Sequence, residues 1–423
     1  MATVTSSETI NASTALIQQD AVVLGILAAI LGVVFWSSSR PSGFWKRFYG
    51  VVPALLLCYL LPAILNTAGV IDGATSGLYP MARDYLLPSS LVLLCLAIDI
   101  KGLSRLGIKA ILMFLAGTAG VMLGAVVSFL MLRFIHPETV AGDTWRGMAT
   151  LAGSWIGGGA NQAAMKEVFA VDATLFGQFV AVDILVANAW MAGLLILAGR
   201  AAKFDRWVGA DTSAIESLQA RLSAFQAQHE RNPTLADIMV IVGIALAVTG
   251  LSHFLSGPIV AWIGSLPASW RLQDYSLTSG FFWLVVLATT FGVMLSLTKA
   301  RLLEGAGASK IGTAFLYFLI ATIGMHMDLK ALLDKPWLFA LGAIWILTHG
   351  LVLLIAARVL RAPAFFLAVG SQANIGAAAS APVVASAFHP ALAPVGVLLA
   401  VLGYALGTYC AYLVGLFLQR LAG

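Results

Sequence analysis

Asp183 lies midway along the apolar stretch 179–187, where a charged side chain is energetically unfavourable. If this stretch spans a membrane, an acid at its centre costs about 2.5–3.5 kcal/mol and is usually functional. Asp183 is therefore predicted to bind a solute or a coupling cation, Na⁺ or H⁺. The alternative is a structural role, as half of an ion pair or as a protonated acid held by hydrogen bonds.

Three consecutive glycines interrupt a second apolar segment. Gly157, Gly158 and Gly159 each cost a helix about 1 kcal/mol relative to alanine. They point in three directions, whereas glycines at a helix crossing recur four residues apart. The triplet therefore favours an unwound turn over a packed crossing of small residues. Open backbone at mid-depth needs protein or a water-filled cavity to satisfy it, and Asn161 and Gln162 follow immediately.

A third segment repeats this association of glycine with amides. It reads Gly-Ser-Gln-Ala-Asn-Ile-Gly over 370–376, in an otherwise apolar run. Two broken helices that cross at mid-depth would bring together N-terminal ends with about +0.5 charge and C-terminal ends with about −0.5. Such a centre suits an anionic solute and a cation. The predicted binding residues are Gly158, Gly159, Asn161, Gln162, Asp183, Ser371, Gln372 and Asn374.

Further polar residues lie close to these segments. Lys166 follows the first break and is predicted to neutralise Asp183 or an anionic substrate. Its neighbour Glu167 is not expected to pair with it, because adjacent helical residues do not face each other. His349 is predicted to be hydrogen-bonded inside the protein, with a proton relay as the alternative. The three cysteines lack metal-ligand spacing and are interpreted as small apolar side chains.

The composition places all of these residues in a membrane protein. The chain has 423 residues, 60% hydrophobic and 10% charged, whereas soluble domains are about one quarter charged. A soluble enzyme, a disordered chain and a fibrous chain are therefore excluded, and continuous apolar runs disfavour a β-barrel. The net charge of +5 does not indicate nucleic-acid binding, since the basic residues are scattered between apolar stretches.

About twenty apolar residues cross a bilayer as a helix, and the sequence predicts twelve such spans or thirteen. The twelve are 21–36, 49–69, 86–100, 110–135, 148–169, 174–198, 238–255, 278–297, 311–327, 337–359, 365–388 and 392–418. The first is predicted to be retained, because no basic residue precedes it as in a secretory signal. We expect an all-α, multi-pass protein of the cell (inner) membrane.

Basic clusters follow the first, third, eighth and tenth spans, as in cytoplasmic loops. They contain Arg40, Lys46, Arg47, Lys101, Arg105, Lys109, Lys299, Arg301, Lys310, Arg358 and Arg361. The acidic N-terminus is accordingly predicted to be external. Twelve simple crossings cannot place all four clusters on one side, so an extra crossing or re-entrant piece at 256–270 is predicted.

The longest polar stretch separates two halves. They are an N-terminal half at 1–199, a polar linker at 200–237 and a C-terminal half at 238–423. Apolar residues recur in the linker at helical spacing and predict an amphipathic helix; they are Ile215, Leu218, Leu222 and Phe225. We expect this helix to lie on the protein or membrane surface, with docking of a partner as the alternative.

Three pairs of similar segments occur in the same order in the two halves. They are 48–52 and 290–294, 98–103 and 327–332, and 157–161 and 370–374. Repeats with interrupted hydrophobic segments are typical of transporters. If the basic loops are cytoplasmic, the second span begins on the inside of the membrane and the eighth begins on the outside. Inverted repeats are therefore predicted. Spans two to six and eight to twelve would be five-helix units.

The segments 157–161, 372–376 and 401–408, together with Asp183, resemble the YjcL-like family of bacterial and plant membrane proteins of unknown function. The likeness runs from about residue 49 to the C-terminus, interrupted by the linker. That family is grouped with cation:proton antiporters and bile-acid sodium symporters. The resemblance implies inverted five-helix repeats with two crossed discontinuous helices. It also implies that Asp183, on the helix after the first broken one, binds Na⁺ or H⁺.

These features predict a secondary active transporter, coupled to Na⁺ or H⁺, that moves a small polar or anionic organic solute by alternating access. A cation:proton antiporter is the alternative, disfavoured because no Asp-Asp or Asn-Asp pair occurs. An intramembrane enzyme is less favoured, since metalloprotease, Walker and hydrolase motifs are missing from the sequence. A channel is less favoured because it does not explain paired broken spans around a buried acid. The expected partners are the bilayer, the solute and a second copy in a homodimer. No catalytic residue, nucleic acid or resident cofactor is expected.

Overall fold

The computed structural model describes residues 15–40, 43–49, 52, 54–73, 75–98, 106–210, 215, 232–270, 272–275, 277–326, 335–389 and 392–423. Helices make up 84% of the structure. Within the described ranges no β-strand occurs beyond an isolated bridge between Ile17 and Ile71. The predicted all-α class is confirmed for this part of the chain.

The α-helices are numbered here in chain order. They are α1 Asp20–Ser38, α2 Gly43–Tyr49, α3 Ala54–Thr67, α4 Leu78–Met81, α5 Leu87–Leu96, α6 Ile108–Ile135, α7 Thr144–Gly157, α8 Gly159–Val168, α9 Ala173–Ala198, α10 Ala201–Val208, α11 Leu235–Gly264, α12 Gly280–Ser296, α13 Ala308–Gly324, α14 Trp337–Leu360, α15 Ala364–Ile375, α16 Ala377–Phe388 and α17 Ala393–Ala422. A π-helical turn, Ala82–Leu86, joins α4 to α5, and 3₁₀ segments lie at Pro137–Thr139, Ala268–Trp270, Leu272–Tyr275 and Lys299–Ala306.

Six of the described helices are long and apolar enough to cross a membrane: α1, α6, α9, α11, α14 and α17. The number rises to eight if two bent pairs each count as one span, α2 with α3 at 81° and α12 with Lys299–Ala306 at 94°. The multi-pass prediction is therefore confirmed, and every predicted span overlaps a helix or a helix pair. By this criterion, however, the count stays below the predicted twelve or thirteen.

The extra membrane piece predicted at 256–270 is wrong. Helix α11 begins with a capping box formed by Thr234 and Asp237 and continues without a break through Pro258 to Gly264. Thirty residues of helix are about 45 Å long, so the apolar run after residue 255 simply prolongs the seventh predicted span. A proline is tolerated there because helices in membranes re-satisfy the freed carbonyl locally.

The fifth predicted span turns back on itself at a glycine. Gly158, with φ of 78°, separates α7 from α8. At the open end, Nη1 of Arg146 donates to the carbonyl oxygen of Phe169 over 2.5 Å. Nearer the turn, a Cβ added at Gly153 would lie 2.7 Å from the carbonyl oxygen of Asn161. The two helices are thus antiparallel neighbours, and we call α7 and α8 hairpin 1.

The eleventh predicted span has the same form. Gly376 separates α15 from α16, whose first residue, Ala377, has a φ of 49°. The rings of Phe365 and Phe388, at the two far ends, lie 5.4 Å apart. We call α15 and α16 hairpin 2. The prediction of two crossed discontinuous helices is therefore wrong. In each hairpin the second helix packs back along the first, whereas in a discontinuous helix it would continue in the same direction.

Helix α17 shows that the hairpins point in opposite directions. A Cβ added at Gly396, near its start, would lie 2.5 Å from the Ala381 backbone of hairpin 2. One at Gly407 would lie 2.7 Å from Cα of Gly157, and one at Gly415 would lie 2.4 Å from the ring of Phe169. A Cβ added at Gly403 would lie 3.6 Å from the carbonyl oxygen of Ala373, near the turn of hairpin 2. Along α17 the neighbours are therefore first the second limb of hairpin 2, then the turns of both hairpins, then the open end of hairpin 1.

The helices form two groups. Helices α6, α9, α14 and α17 pack around the hairpins and make the hairpin group, in which α6 contacts α14, and α7 and α16 contact α17. Helices α1, α3, α4, α5, α11, α12 and α13, with the π-helical turn Ala82–Leu86, make the panel, in which α5 contacts α11, α12, α13 and the π-helical turn. Helix α8 of hairpin 1 packs on α5, α12 and α13 of the panel, whereas α16 packs on α7, α9, α15 and α17 of its own group.

Parts of the predicted repeat and linker are not described. Most of 98–103 and 327–332 lies outside the described residues, as does the amphipathic linker helix apart from Ile215. The segments 157–161 and 370–374, predicted to match, do not occupy equivalent places in the two hairpins. Asn161 follows the turn of hairpin 1, whereas Asn374 precedes the turn of hairpin 2.

Candidate functional site

Asp183 is held by two donors from hairpin 1. It lies in the middle of α9 and is 7% exposed. Oγ of Ser154 donates to its Oδ2 over 2.5 Å, and Nε1 of Trp155 donates to its Oδ1 over 2.7 Å. The Trp155 ring packs edge-on against Trp345 of α14 at 5.3 Å. The predicted buried acid is therefore joined directly to the helix that leads into the first turn, a partnership that the sequence did not reveal.

Lys166 does not neutralise Asp183. Its Nζ lies 2.9 Å from Oε1 of Glu167 and donates to the hydroxyl of Tyr79. The expectation that Lys166 and Glu167 would not pair is also wrong. Both long side chains bend toward Tyr79 at the open end of hairpin 1, so adjacency on the helix does not separate their charged ends.

These contacts form a polar cluster between hairpin 1 and the panel, which we call the latch. The Tyr79 hydroxyl donates to Glu167, and Nη1 of Arg83 lies 3.8 Å from Oε2 of Glu167. The ring of His326, just after α13, lies 5.0 Å from that of Tyr79. Burial lowers the pKa of His326, and the positive charge of Lys166 lowers it further.

Asn161 is fully buried and saturated by hydrogen bonds within the protein. Its Nδ2 donates to the carbonyl oxygens of Gly157, at 2.9 Å, and of Tyr404 on α17, at 3.0 Å. Its Oδ1 accepts from Oγ1 of Thr408 at 2.6 Å. In this arrangement the side chain fastens hairpin 1 to α17.

Asn374 makes the same set of bonds in hairpin 2. Its Nδ2 donates to the carbonyl oxygens of Gly370, at 2.9 Å, and of Phe114 on α6, at 3.0 Å, and its Oδ1 accepts from Thr118 at 2.8 Å. In each case the partner helix supplies a carbonyl and, four residues later, a threonine. An aromatic residue followed by threonine at that spacing was the available sequence signal for these partners.

Ser371 and His349 belong to a second network at hairpin 2. Nε2 of His349 lies 2.8 Å from Oγ of Ser371, and Nδ1 lies 2.9 Å from the carbonyl oxygen of Gly117. Because that carbonyl needs a donor, Nδ1 carries the proton and Ser371 donates to Nε2. Nε1 of Trp190 donates to the same serine oxygen over 2.8 Å. This network fits the predicted structural role of His349.

The two glutamines retain unsatisfied atoms. Nε2 of Gln162 and Oε1 of Gln372 are buried without a hydrogen-bond partner, as are two hydroxyls of the panel, those of Tyr59 and Ser90. Nε2 of Gln372 donates to Oγ of Ser380 across hairpin 2 over 2.7 Å. Of the predicted binding residues with hydroxyl or amide side chains, only the two glutamines have a buried side-chain atom without a partner.

The turns of the two hairpins meet. A Cβ added at Gly158 would lie 2.8 Å from Cβ of Ala377 and 3.6 Å from the ring of Tyr404. Glycine is required here, since its φ is positive and a side chain has no room. Gly159 is more open, because its nearest neighbour is Leu316 of α13, 3.8 Å from an added Cβ. The structure thus brings Gly158, Gly159 and both glutamines to one junction, at the level of Asp183.

Among the described residues, no group of three or more His, Cys, Asp or Glu side chains is placed to hold a metal ion. A Na⁺ ion at Asp183 would therefore depend on hydroxyl and backbone oxygens for its other ligands. Tyr59 of α3, in the panel, interacts electrostatically with Asp183.

Two comparisons relate the chain to known proteins. A family model described as "Protein of unknown function (DUF819)" matches residues 25–421. The chain is also 25% identical over 367 residues to "Uncharacterized membrane protein YjcL" of Bacillus subtilis (strain 168). That alignment covers 83% of this chain and 86% of the relative. The description of the relative as a membrane protein agrees with the apolar helices found here.

Proposed function

Because the chain belongs to the family of proteins of unknown function DUF819, we propose its activity from the geometry of the site. The protein is a secondary active transporter that moves a small polar or anionic solute by alternating access, coupled to Na⁺ or H⁺. The observation that carries this proposal is the meeting of two oppositely directed hairpins at Gly158 and Ala377, at the level of the buried Asp183.

The hairpins also support a membrane topology in which all of the basic loops lie on the same side of the membrane. If α1, α3, α4–α5, α6, α9, α11, α12, α13, α14 and α17 cross and the hairpins do not, all four basic clusters face the cytoplasm. Two contacts agree with this arrangement. Nζ of Lys109 donates to the carbonyl oxygen of Arg361, and Nη1 of Arg358 donates to that of Val208, each over 3.3 Å.

In this topology the two halves form inverted units. The first comprises α3, α4–α5, α6, hairpin 1 and α9, and the second comprises α12, α13, α14, hairpin 2 and α17. Hairpin 1 then enters from outside and hairpin 2 from the cytoplasm. Inverted units around a mid-depth site are a common architecture of secondary transporters. The proposal rests on these hairpins and not on a relationship with cation:proton antiporters or bile-acid symporters.

Alternating access requires that the hairpin group move against the panel. Helix α8 packs on the panel, and the latch joins its outer end to Tyr79 and Arg83, whereas α16 packs within its own group. We interpret this asymmetry as a state closed outside and accessible from the cytoplasm. Asp183 is the proposed coupling residue, because binding H⁺ or Na⁺ there changes the charge beside the first turn.

The test is reconstitution into proteoliposomes that contain a pH-sensitive or Na⁺-sensitive dye. Carboxylates, amino acids, nucleosides and short peptides are added singly, and solute-dependent H⁺ or Na⁺ entry is expected for one class. Asp183→Asn should abolish that entry, whereas the matched control Asn188→Ala should retain it, since Asn188 bonds the carbonyl of Ile184 on its own helix. Cation exchange without any solute would instead indicate a cation:proton antiporter.

A further inference from the structure

The unsatisfied glutamine atoms point to the class of solute. The side chains of Gln162 and Gln372 are 1% and 2% exposed, yet Nε2 of the first and Oε1 of the second lack partners. Nearly all buried polar groups in proteins are hydrogen-bonded. Of the four exceptions among the described residues, these two lie one on each hairpin, each within about one helical turn of the junction, and therefore call for a common explanation.

Both carboxamides belong to the junction of the turns. In hairpin 2, Nε2 of Gln372 lies 2.4 Å from the Cβ position of Gly376. In hairpin 1, Gln162 is three residues beyond Gly159, so the two share the helix face that looks toward Leu316. Helical side chains lean toward the N-terminus, which brings the amide of Gln162 back toward the turn.

The helix ends at the junction favour negative charge. Helices α8 and α16 both begin here, and neither has a side-chain cap. The N–H groups at a helix start and the associated dipole attract anions. Helices α7 and α15 end here as well, but carbonyls at both of these ends already accept hydrogen bonds: that of Gly157 from Asn161, and that of Gln372 from the N–H of Gly376. At the positive ends, the N–H of Ala378 in α16 bonds Tyr404, and the other N–H groups of the first turns have no partner within their own helix.

We propose that the two turns bind the carboxylate of a small organic anion, an assignment that rests on the proposed transport function. The backbone N–H groups at the starts of α8 and α16 and the amide of Gln162 donate to the carboxylate oxygens. Oε1 of Gln372 accepts from a hydroxyl or amino group of the same solute. A small hydroxy- or amino-carboxylate satisfies both unpartnered atoms at once.

Binding is tested on the purified full-length protein in nanodiscs, in chloride buffers, by thermal unfolding. The probes are propionate, lactate, alanine, malate and citrate, with propionamide and lactamide as uncharged controls. A ligand that binds the folded state raises the unfolding temperature in proportion to its occupancy. We expect a hydroxy- or amino-carboxylate to raise it and the two amides to leave it unchanged. Equal stabilisation by the amides, or none by any carboxylate, would overturn the proposal.

Two variants locate the site. Gln162→Met and Gln372→Met keep the side-chain volume and remove the hydrogen bonds, and each is expected to weaken carboxylate binding about tenfold. Asn188→Ala is the control and should bind as the wild type does. Unchanged binding by both glutamine variants would place the anion elsewhere. If a variant does not fold, the comparison of acids with amides on the wild type still decides the question.

The same proteoliposomes separate this inference from the proposed transport function. If a carboxylate binds but never enters the vesicles, the proposed anion site is supported and the proposed transport function is contradicted. A transported cation or neutral solute, without carboxylate binding, supports transport and defeats the anion site.

Discussion

Nε1 of Trp155 donates a hydrogen bond to Oδ1 of Asp183 over 2.7 Å, and it joins α7 to α9 just before the turn of hairpin 1. An indole N–H donates in either protonation state of the acid, so this bond fixes the carboxyl group without consuming its capacity to bind a cation. Ser154, on the other oxygen, can either donate to a carboxylate or accept from a carboxylic acid.

The first prediction concerns the loss of this fixed donor. Trp155→Phe keeps the aromatic packing on Trp345 and removes one hydrogen bond to a charged group, an interaction of about 1.5–3 kcal/mol. Coupled solute flux in proteoliposomes should fall at least tenfold, with a smaller change in the unfolding temperature. Trp345→Phe is the matched control, because its indole bonds the backbone of Val121 and not Asp183. A larger loss of flux in the control would contradict this role.

The second prediction tests the direction of hairpin 1. In a chain whose three native cysteines are replaced by alanine, single cysteines are placed at the exposed positions Asp143 and Asp172, before and after the hairpin. A membrane-impermeant thiol reagent should label both from outside intact cells, because a hairpin returns the chain to the same side. Labelling from opposite sides would mean that the segment crosses.

The same design applies to hairpin 2. Cysteines at the exposed Arg361 and His389 should both be protected in intact cells and react after permeabilisation. This result, combined with the outside labelling of hairpin 1, would establish opposite entry.

The positions of the helices were predictable from sequence because uninterrupted apolar length determines them. The direction of the chain at the breaks was not. A glycine break destabilises a helix equally whether the next helix continues in the same direction or turns back. The direction is determined by contacts between distant residues, such as that of Phe365 with Phe388. The conflict among the basic loops was the available signal. It required one crossing more or one fewer between the third and eighth spans. An extra piece was predicted at 256–270, whereas the structure turns the chain back at the two glycine breaks.

The site was predictable in its residues more than in their partners. Buried amides beside glycines and a buried acid were evident, but the helices that supply Trp155, Thr408 and Thr118 are determined by packing. Lys166 was assigned to the wrong neighbour, since sequence alone does not place the open end of the hairpin beside Tyr79.

The third prediction addresses the bonds that fasten hairpin 2. In a double-mutant cycle, Asn374→Ala, Thr118→Val and the double variant are compared for stability in nanodiscs. A hydrogen bond between membrane helices contributes about 0.6–2 kcal/mol, so the coupling free energy should fall in that range. Thr348→Val is the control, because its hydroxyl bonds the carbonyl of Ile344 on its own helix. Coupling near zero between Asn374 and Thr118 would exclude the proposed fastening.

The fourth prediction is that the latch must open during transport. Cysteines at Tyr79 and Lys166, in the same cysteine-free background, are linked by a short, cleavable bifunctional thiol reagent. Linking α4 to hairpin 1 should abolish flux, and cleavage of the linker should restore it. A pair inside the panel, Ser89 and Thr249, whose hydroxyls are 2.9 Å apart, is the control and should remain active when linked. Undiminished flux through the Tyr79–Lys166 link would show that these helices do not separate.

The last prediction is a pH dependence of the latch. Burial lowers the pKa of His326 below its usual 6.5, and the charge of Lys166 adds to this effect; the hydrogen bond to the Thr322 carbonyl and the charges of Asp72 and Glu167 oppose the lowering of the pKa without reversing it. The folded protein therefore binds the proton less well than the unfolded chain, and this contribution to stability is complete above pH 6.5 and declines as the pH falls below it. Between about pH 8 and pH 5, the unfolding temperature of His326→Gln should fall less than that of the wild type. If the slope is the same in the variant and the wild type, His326 does not link the latch to pH.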